Sequence, residues 1–404
     1  MTTSHRPRHR RRRLALIILL TVVVVFIAAT IVSWRWSTRP QGEPQAVEFA
    51  TAQLSAPLLD ARVLALGEAT HGNADYQNLR LELSRKVLPH GTRTIVMEED
   101  YGTTSLVNDY IQGGEGTAEE AALRFGFRLN QTAENARWLE WLRDYNADLP
   151  AGGRVQLVGM DVQRVPASRS IALDGLAHHD PAAAERLGAV LSGLEDGEVT
   201  DAHATATREL VDATRTLPGS PHPHNAALAL HHHVELMRTG DYSTVREEAM
   251  FDMLTRLVEQ STTPVLLFAH NGHVAKAEQG MLTQPVGAMA AETWGDDYQV
   301  IGTDFIDTEF LSGTPEERQA WTLHNRTPLA GVFAGTDVGY LDFADTSGKN
   351  RELVDTLITM GSAGERFTRL QQLIPLFHLV AGVPSEWYDA LIVVDDATPT
   401  TMLG

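Results

Sequence analysis

The chain has 404 residues, 33 Lys+Arg against 52 Asp+Glu, a formal net charge of -19 and no cysteine. That length suits one large domain or a domain carrying an insert. The acidic balance weighs against nucleic acid and against electrostatic docking on an anionic surface. The missing cysteines exclude disulfides, a thiolate nucleophile and thiolate metal ligation.

The N-terminus stands apart. Arg6, Arg8 and four arginines at 10–13 precede residues 14–32, nineteen positions without a charge. Such a run is long enough to cross a bilayer as a helix, and the basic flank places residues 1–13 on the cytoplasmic side. Trp34 and Trp36 read as interface anchors, so residues 14–36 are expected to be a transmembrane anchor with the lipid bilayer as partner. A cleavable signal peptide is the rival reading; it calls for a shorter apolar core and a small-x-small cleavage site. Both readings export the remainder. Pro40, Gly42 and Pro44 mark residues 37–50 as a linker, leaving 51–404 as an extracytoplasmic α/β domain.

Four apolar runs follow, at residues 62–72 (RVLALGEATHG), 94–100 (TIVMEED), 155–161 (VQLVGMD) and 264–273 (PVLLFAHNGH). Short apolar runs without alternation suggest strands buried on both faces, as in a parallel sheet. The apolar stripe of Leu79, Leu83, Val87 and Leu88 predicts a helix over 73–88, ended by Gly91, so 62–98 reads as a right-handed βαβ unit. Thr132 is a candidate cap for a second helix carrying Trp138, Leu139, Leu142 and Tyr145. Residues 165–260 are rich in Ala, Leu and His, with helical patterns at 181–194, 204–216 and 225–237. They read as a helical subdomain inserted between strands. Further strands are expected at 298–302 and 390–394. The fold class is therefore α/β: a mostly parallel central sheet flanked by helices, with an inserted helical subdomain and an N-terminal transmembrane helix.

Each of the four runs ends on ionisable groups. In open parallel sheets the binding crevice lies beyond the carboxyl ends of the strands. Glu68, His71, Glu98, Asp161, His270 and His273 are thus expected in one cleft. A neutral imidazole at His71 can take a proton from water, with Glu68 orienting it; the plain alternative is Glu68 as a helix cap. His270 and His273, three apart, can serve as base and oxyanion donor or share a metal, with Asn271 as an amide donor between them. Glu98 and Asp100 can hold an imidazolium or a metal, or pair with Arg93 or Arg128. Arg80 can clamp an anion, or lie solvated on its helix. Asp161 is expected to orient loops, and His231, His232 and His233 point in different directions on a helix and form no site. No G-x-S-x-G, H-E-x-x-H, P-loop or G-x-G-x-x-G motif occurs. The set suits direct attack by activated water.

These residues also resemble the erythromycin esterase family. The likeness rests on GEATHG (67–72) with Arg80, IVMEED (95–100), WLRDYN (141–146), VGMD (158–161), AHNGHV (269–274), GDDYQVIGTDF (295–305) and YDALIVVDDATP (388–399), across roughly residues 55–400. The resemblance implies an α/β core and hydrolysis of a carboxylic ester or lactone by water, with antibiotic inactivation among the family's roles. It implies that His71 is the general base, and that Glu68, Arg80, Glu98, His270 and His273 line the same site. Asn271, Asp100 and Asp161, read from their strand ends, are expected to contact substrate. It implies no required cofactor. The same histidines with Glu98 also suit zinc or manganese, and a non-catalytic small-molecule binder is a third reading. The expected partner is a small ester or lactone, with no nucleic acid.

Overall fold

The structure, a computed structural model, describes Thr21 and residues 41–404 apart from 195–198, 280–282, 315–316, 366 and 375–376. The expected anchor at 14–36 lies outside the described residues, Thr21 aside. Among the described residues no helix is long and apolar enough to cross a membrane.

The centre is a nine-stranded mixed sheet. Its strands are β1 (Val47–Glu48), β2 (Val63–Glu68), β3 (Thr94–Asp100), β4 (Gln156–Asp161), β5 (Val265–His270), β6 (Tyr298–Ser312), β7 (Gln319–His324), β8 (Val338–Asp342) and β11 (Ala390–Ala397). A separate hairpin joins β9 (Ile358–Gly361) to β10 (Leu379–Gly382). The main order is β1-β8-β11-β6-β2-β5-β3-β4, with β7 beside β6. The stretch from β11 to β4 is parallel. β1, β7 and β8 pair antiparallel, which makes the sheet mixed. Side chains from alternate positions enter two cores. Val63 and Ala65 of β2 join the core that packs the helices between β4 and β5. Leu64 and Leu66 join the opposite core with Trp138 and Leu142. Burial on both faces is the physical reason the parallel strands read as unbroken apolar runs.

Local chemistry sets the element ends around the cleft. Asn73 caps the helix Ala74–Val87 by accepting from the N–H groups of Asp75 and Tyr76 at 3.0 and 3.2 Å. Thr132 caps Ala133–Ala147 in the same way. In the GEATHG turn, Gly67 leaves no room for a Cβ, which would fall 2.0 Å from Asn271 Oδ1. Gly72 adopts φ +70°, a left-handed conformation suited to glycine. Five helices, Pro166–Ala177, Pro181–Leu191, Asp201–Thr214, His222–Arg238 and Tyr242–Gln260, lie between β4 and β5. Residues 41–50, read from sequence as linker, are instead bound to the fold. Gln41 N–H donates to Pro328 O at 2.8 Å, and Val47–Glu48 pairs with β8. Pro and Gly signal a loop but do not report that its backbone is docked.

Candidate active site

The carboxyl ends of β2, β3 and β5 open onto a cavity of about 500 Å³. Glu68 ends β2 directly opposite His270, its register partner on β5. His71 follows in the turn, Arg80 reaches in from the next helix, Glu98 comes from β3, and His273 sits on the short helix Asn271–Val274. All six line the cavity.

Glu68 is gripped from two sides. Its Oε2 accepts from Arg80 Nη2 at 2.8 Å, and its Oε1 faces His71 Nδ1 at 3.2 Å. Burial alone would raise the Glu68 carboxyl, but Arg80 and then the His71 hydrogen bond outweigh it and hold it below its usual range. Arg80 is itself buried and fixed by Asn130 and Asn135, each 3.0 Å from Nη1. Its guanidinium is therefore committed to Glu68 and the two amides. For His71, burial favours the neutral ring, while the Glu68 hydrogen bond and the Glu98 charge prevail and raise its pKa. With Nδ1–H held by Glu68, the lone pair belongs to Nε2.

His270 and His273 have opposite environments despite sitting three residues apart. His270 Nδ1 accepts the backbone N–H of Gly272 at 3.1 Å, so its ring proton is on Nε2. That buried Nε2 has no hydrogen-bond partner among the described residues. Burial, followed by the nearby His71 charge, drives the His270 pKa down to about 3, so the ring is a neutral donor. Its centroid lies 4.8 Å from that of His71. His273 lies between two carboxylates, with Nε2 3.0 Å from Glu98 Oε1 and Nδ1 2.6 Å from Glu247 Oε1. Burial disfavours its charge, but Glu98 and Glu247 raise its pKa to about 10, so it is an imidazolium. Burial likewise works against ionised Glu98, yet His273 and Arg246 hold that carboxyl well below its usual range.

Three expected substrate contacts turn elsewhere. Asn271 bridges to β6, donating to Thr303 O at 2.7 Å and accepting from Thr303 N–H at 3.2 Å. Asp100 caps the helix Tyr101–Ile111 and accepts from Arg164 N–H at 3.1 Å. Asp161 is fully buried and bound by Arg246, Gln163 Nε2 and the Val162 N–H. None of the three lines the cavity. Polar ends of buried strands need partners of their own, and sequence does not separate that need from substrate binding. Conversely, the sequence reading passed over Arg246 and Glu247, both on Tyr242–Gln260. Arg246 Nη2 reaches Glu98 Oε1 at 2.9 Å and also contacts Asp161. Helical periodicity marks them only as residues of a partly polar face.

The donor set does not suit a divalent ion. His273 presents both nitrogens to carboxylates, His270 uses Nδ1 on the backbone, and Arg246 brings a cation among the acids. No group of three or more His, Asp or Glu with metal-holding geometry occurs among the described residues.

The erythromycin esterase family model matches residues 87–397. The chain belongs to the erythromycin esterase family. Its fold is shared with three solved structures. A Bacillus cereus protein is 18% identical, with a TM-score of 0.76, covering 92% of this chain and 98% of that one. A succinoglycan biosynthesis protein is 20% identical, with a TM-score of 0.72 over 86% and 91% of the two chains. An erythromycin esterase mutant in its open conformation is 17% identical, with a TM-score of 0.60 over 89% and 99%.

Proposed function

We propose that this member of the erythromycin esterase family is a hydrolase that cleaves a carboxylic ester or lactone with water activated by His71. The observation that carries the reading is the pairing of two imidazoles with complementary states. His71 offers a lone pair backed by ionised Glu68, and neutral His270 offers an Nε2–H with no other partner. Water loses a proton to His71 Nε2 as its oxygen bonds to the carbonyl carbon. The carbonyl oxygen becomes an oxyanion and accepts from His270 Nε2–H. Collapse breaks the C–O bond to the leaving oxygen, which takes the proton from His71. The products are a carboxylic acid and an alcohol, joined in one molecule when the substrate is a lactone.

Among the six residues that meet at the strand ends, the other nitrogen donors are committed. Arg80 holds Glu68, and His273 is bound between Glu98 and Glu247. These two thus position and charge the site, and His270 is the group left for the oxyanion. In the same reading residues 14–36 anchor the chain in a cell membrane as a single span, with the N-terminus cytoplasmic and the domain outside.

The test is hydrolysis of a panel of esters and lactones by wild type and His71→Ala, with and without chelator. Loss of a general base lowers turnover by about a hundred- to ten-thousand-fold. Near-normal turnover in a folded His71→Ala variant would defeat the mechanism. Chelator-sensitive activity rescued by zinc or manganese would move the histidines to ligand roles.

A further inference from the structure

A second recess, about 250 Å³, adjoins the catalytic cavity. Phe127, Gln163 and Glu365 line both, so a ligand in one can extend into the other. The recess gathers Arg128, Arg164 and Arg318 in a chain whose net charge is -19. Its walls include Gly313 and Thr314, and Glu365 is its one carboxylate among the described residues.

Arg318 is the informative residue. Its side chain is only 10% exposed, yet Nε and Nη2 have no hydrogen-bond partner among the described residues. Its one ion pair among the described residues is with Glu365, whose Oε1 is 3.8 Å from Nη2, beyond hydrogen-bond reach, and that side chain is itself half exposed. A buried guanidinium with open N–H groups is costly unless an acceptor completes it. Arg128 adds like charge nearby; burial and then Arg128 repulsion lower the Arg318 pKa against the pull of Glu365. Arg128 Nη1 donates to a neutral partner, Gln131 Oε1, at 3.2 Å. The Arg164 guanidinium lies 5.8 Å from the Phe127 ring centre. Among the described residues the recess therefore holds more positive than negative charge, with Nε and Nη2 of Arg318 unfilled. Guanidinium forks match the planar pair of oxygens on a carboxylate.

We propose that this recess is an anion subsite, and that the substrate is an ester or lactone carrying a carboxylate that docks on Arg318, flanked by Arg128 and Arg164. The substrate class rests on the hydrolase reading; binding of an anion in the recess does not. The concave shape and small volume admit one such group and exclude a polyanion surface. Glu365, on the rim shared with the catalytic cavity, limits how far an anion slides toward His71.

The test uses the purified full chain in detergent. Glutarate, a dicarboxylate with no ester bond, is titrated by calorimetry into wild type, Arg318→Gln and Arg128→Gln, with thermal melts to establish folding. Glutarate is expected to bind wild type and to bind Arg318→Gln about ten- to a hundred-fold more weakly, as loss of a charge-assisted hydrogen bond predicts. Arg128→Gln, an exposed position, gives a smaller loss and carries the test if Arg318→Gln does not fold. In parallel, 4-nitrophenyl hemiglutarate is compared with its neutral methyl ester. Wild type is expected to favour the anionic ester by at least about tenfold in kcat/KM, and Arg318→Gln to erase that preference. Glutarate binding that is absent, or equal in all folded proteins, overturns the subsite. Cleavage of both esters without preference overturns its role in substrate choice. Arginine-dependent glutarate binding with no ester cleaved keeps the subsite and removes the hydrolase reading.

Discussion

Replacing Glu68 with Gln tests the coupling between carboxylate and base. The substitution keeps size and removes one charge from a site where the Glu68 side chain is 9% exposed and His71 Nδ1 is 3.2 Å away. A hydrogen bond to a charged partner contributes about 1.5–3 kcal/mol, and little solvent is present to screen it. If that stabilisation is realised as the imidazolium forms in the transition state, its loss slows turnover by about 10- to 150-fold. The direction of the pH effect is also fixed. In the wild type the Glu68 hydrogen bond is among the causes that raise the His71 pKa against burial. Catalysis needs the neutral ring, so activity is lost as pH falls through that raised value. In Glu68→Gln the raising interaction weakens, and the acid limb of kcat/KM moves to lower pH while the plateau drops. The assay is a pH profile of ester hydrolysis for both proteins. A purely structural role for Glu68 lowers the plateau and leaves the limb in place. An unmoved limb in a folded variant would refute the coupling.

Other expectations follow from the same geometry. His270→Ala is expected to lower kcat about a hundred- to a thousand-fold with KM little changed, as for loss of one oxyanion donor; a change confined to KM in steady-state assays would contradict that role. Arg246→Met leaves buried Asp161 without its cation and Glu98 with only the His273 ion pair and the His270 N–H, so urea unfolding is expected to show a loss of about 3–5 kcal/mol. Because the folded Glu98 carboxyl is depressed, its stabilisation is present above the unfolded carboxyl pKa and is lost as pH falls through the folded value. Arg246→Met weakens that depression, so its acid unfolding is expected to begin at higher pH than in wild type, and coincident acid transitions would count against it. His231→Ala, at a half-buried position outside the cavity lining, is expected to leave turnover within about twofold, since its hydrogen bond is with Thr207 and not with any cavity residue.

The sequence made the parallel strands and their ionisable ends legible for a physical reason. A strand covered on both faces must be apolar throughout, so RVLALG and PVLLFA announce themselves. The edges did not. β7 exposes alternate residues, β1 has two residues, and the β9–β10 hairpin has four-residue strands, so their apolar signal is short or broken. The boundaries of β6 show the same limit. Its expected stretch at 298–302 continues to Ser312, because the pairing with β7 supports residues that no longer form an apolar run. Asp100, Asp161 and Asn271 were visible as strand-end polar groups, but whether such a group faces a cavity or a backbone depends on neighbours remote in sequence. Arg246 shows the converse. It lies on a helix between β4 and β5, 85 residues beyond Asp161, and only packing brings it to the sheet.

The three histidines show how much of a site's chemistry is absent from residue type. Each is an imidazole beside acidic groups, and sequence treats His71, His270 and His273 as interchangeable candidates for base, donor or ligand. The fold separates them by contacts. One carboxylate on Nδ1 raises the His71 pKa while leaving Nε2 to take a proton. Burial, with the nearby His71 charge, keeps His270 neutral, and a backbone N–H on Nδ1 fixes its proton on the opposite nitrogen. Two carboxylates fix His273 as a cation. One of those carboxylates is Glu247, from the helix before β5. Hence the charge state of His273, just beyond the end of β5, depends on a helix that carries no motif of its own. Placing groups of one chemical type in environments that push their pKa values apart is what separates acid, base and electrostatic roles near neutral pH. The same helix, through Arg246, neutralises part of the acid that would otherwise accumulate at Glu98 and Asp161. Without that cation, the field at His71 and His270 would be more negative, favouring protonation of both rings and weakening the division of labour between base and donor.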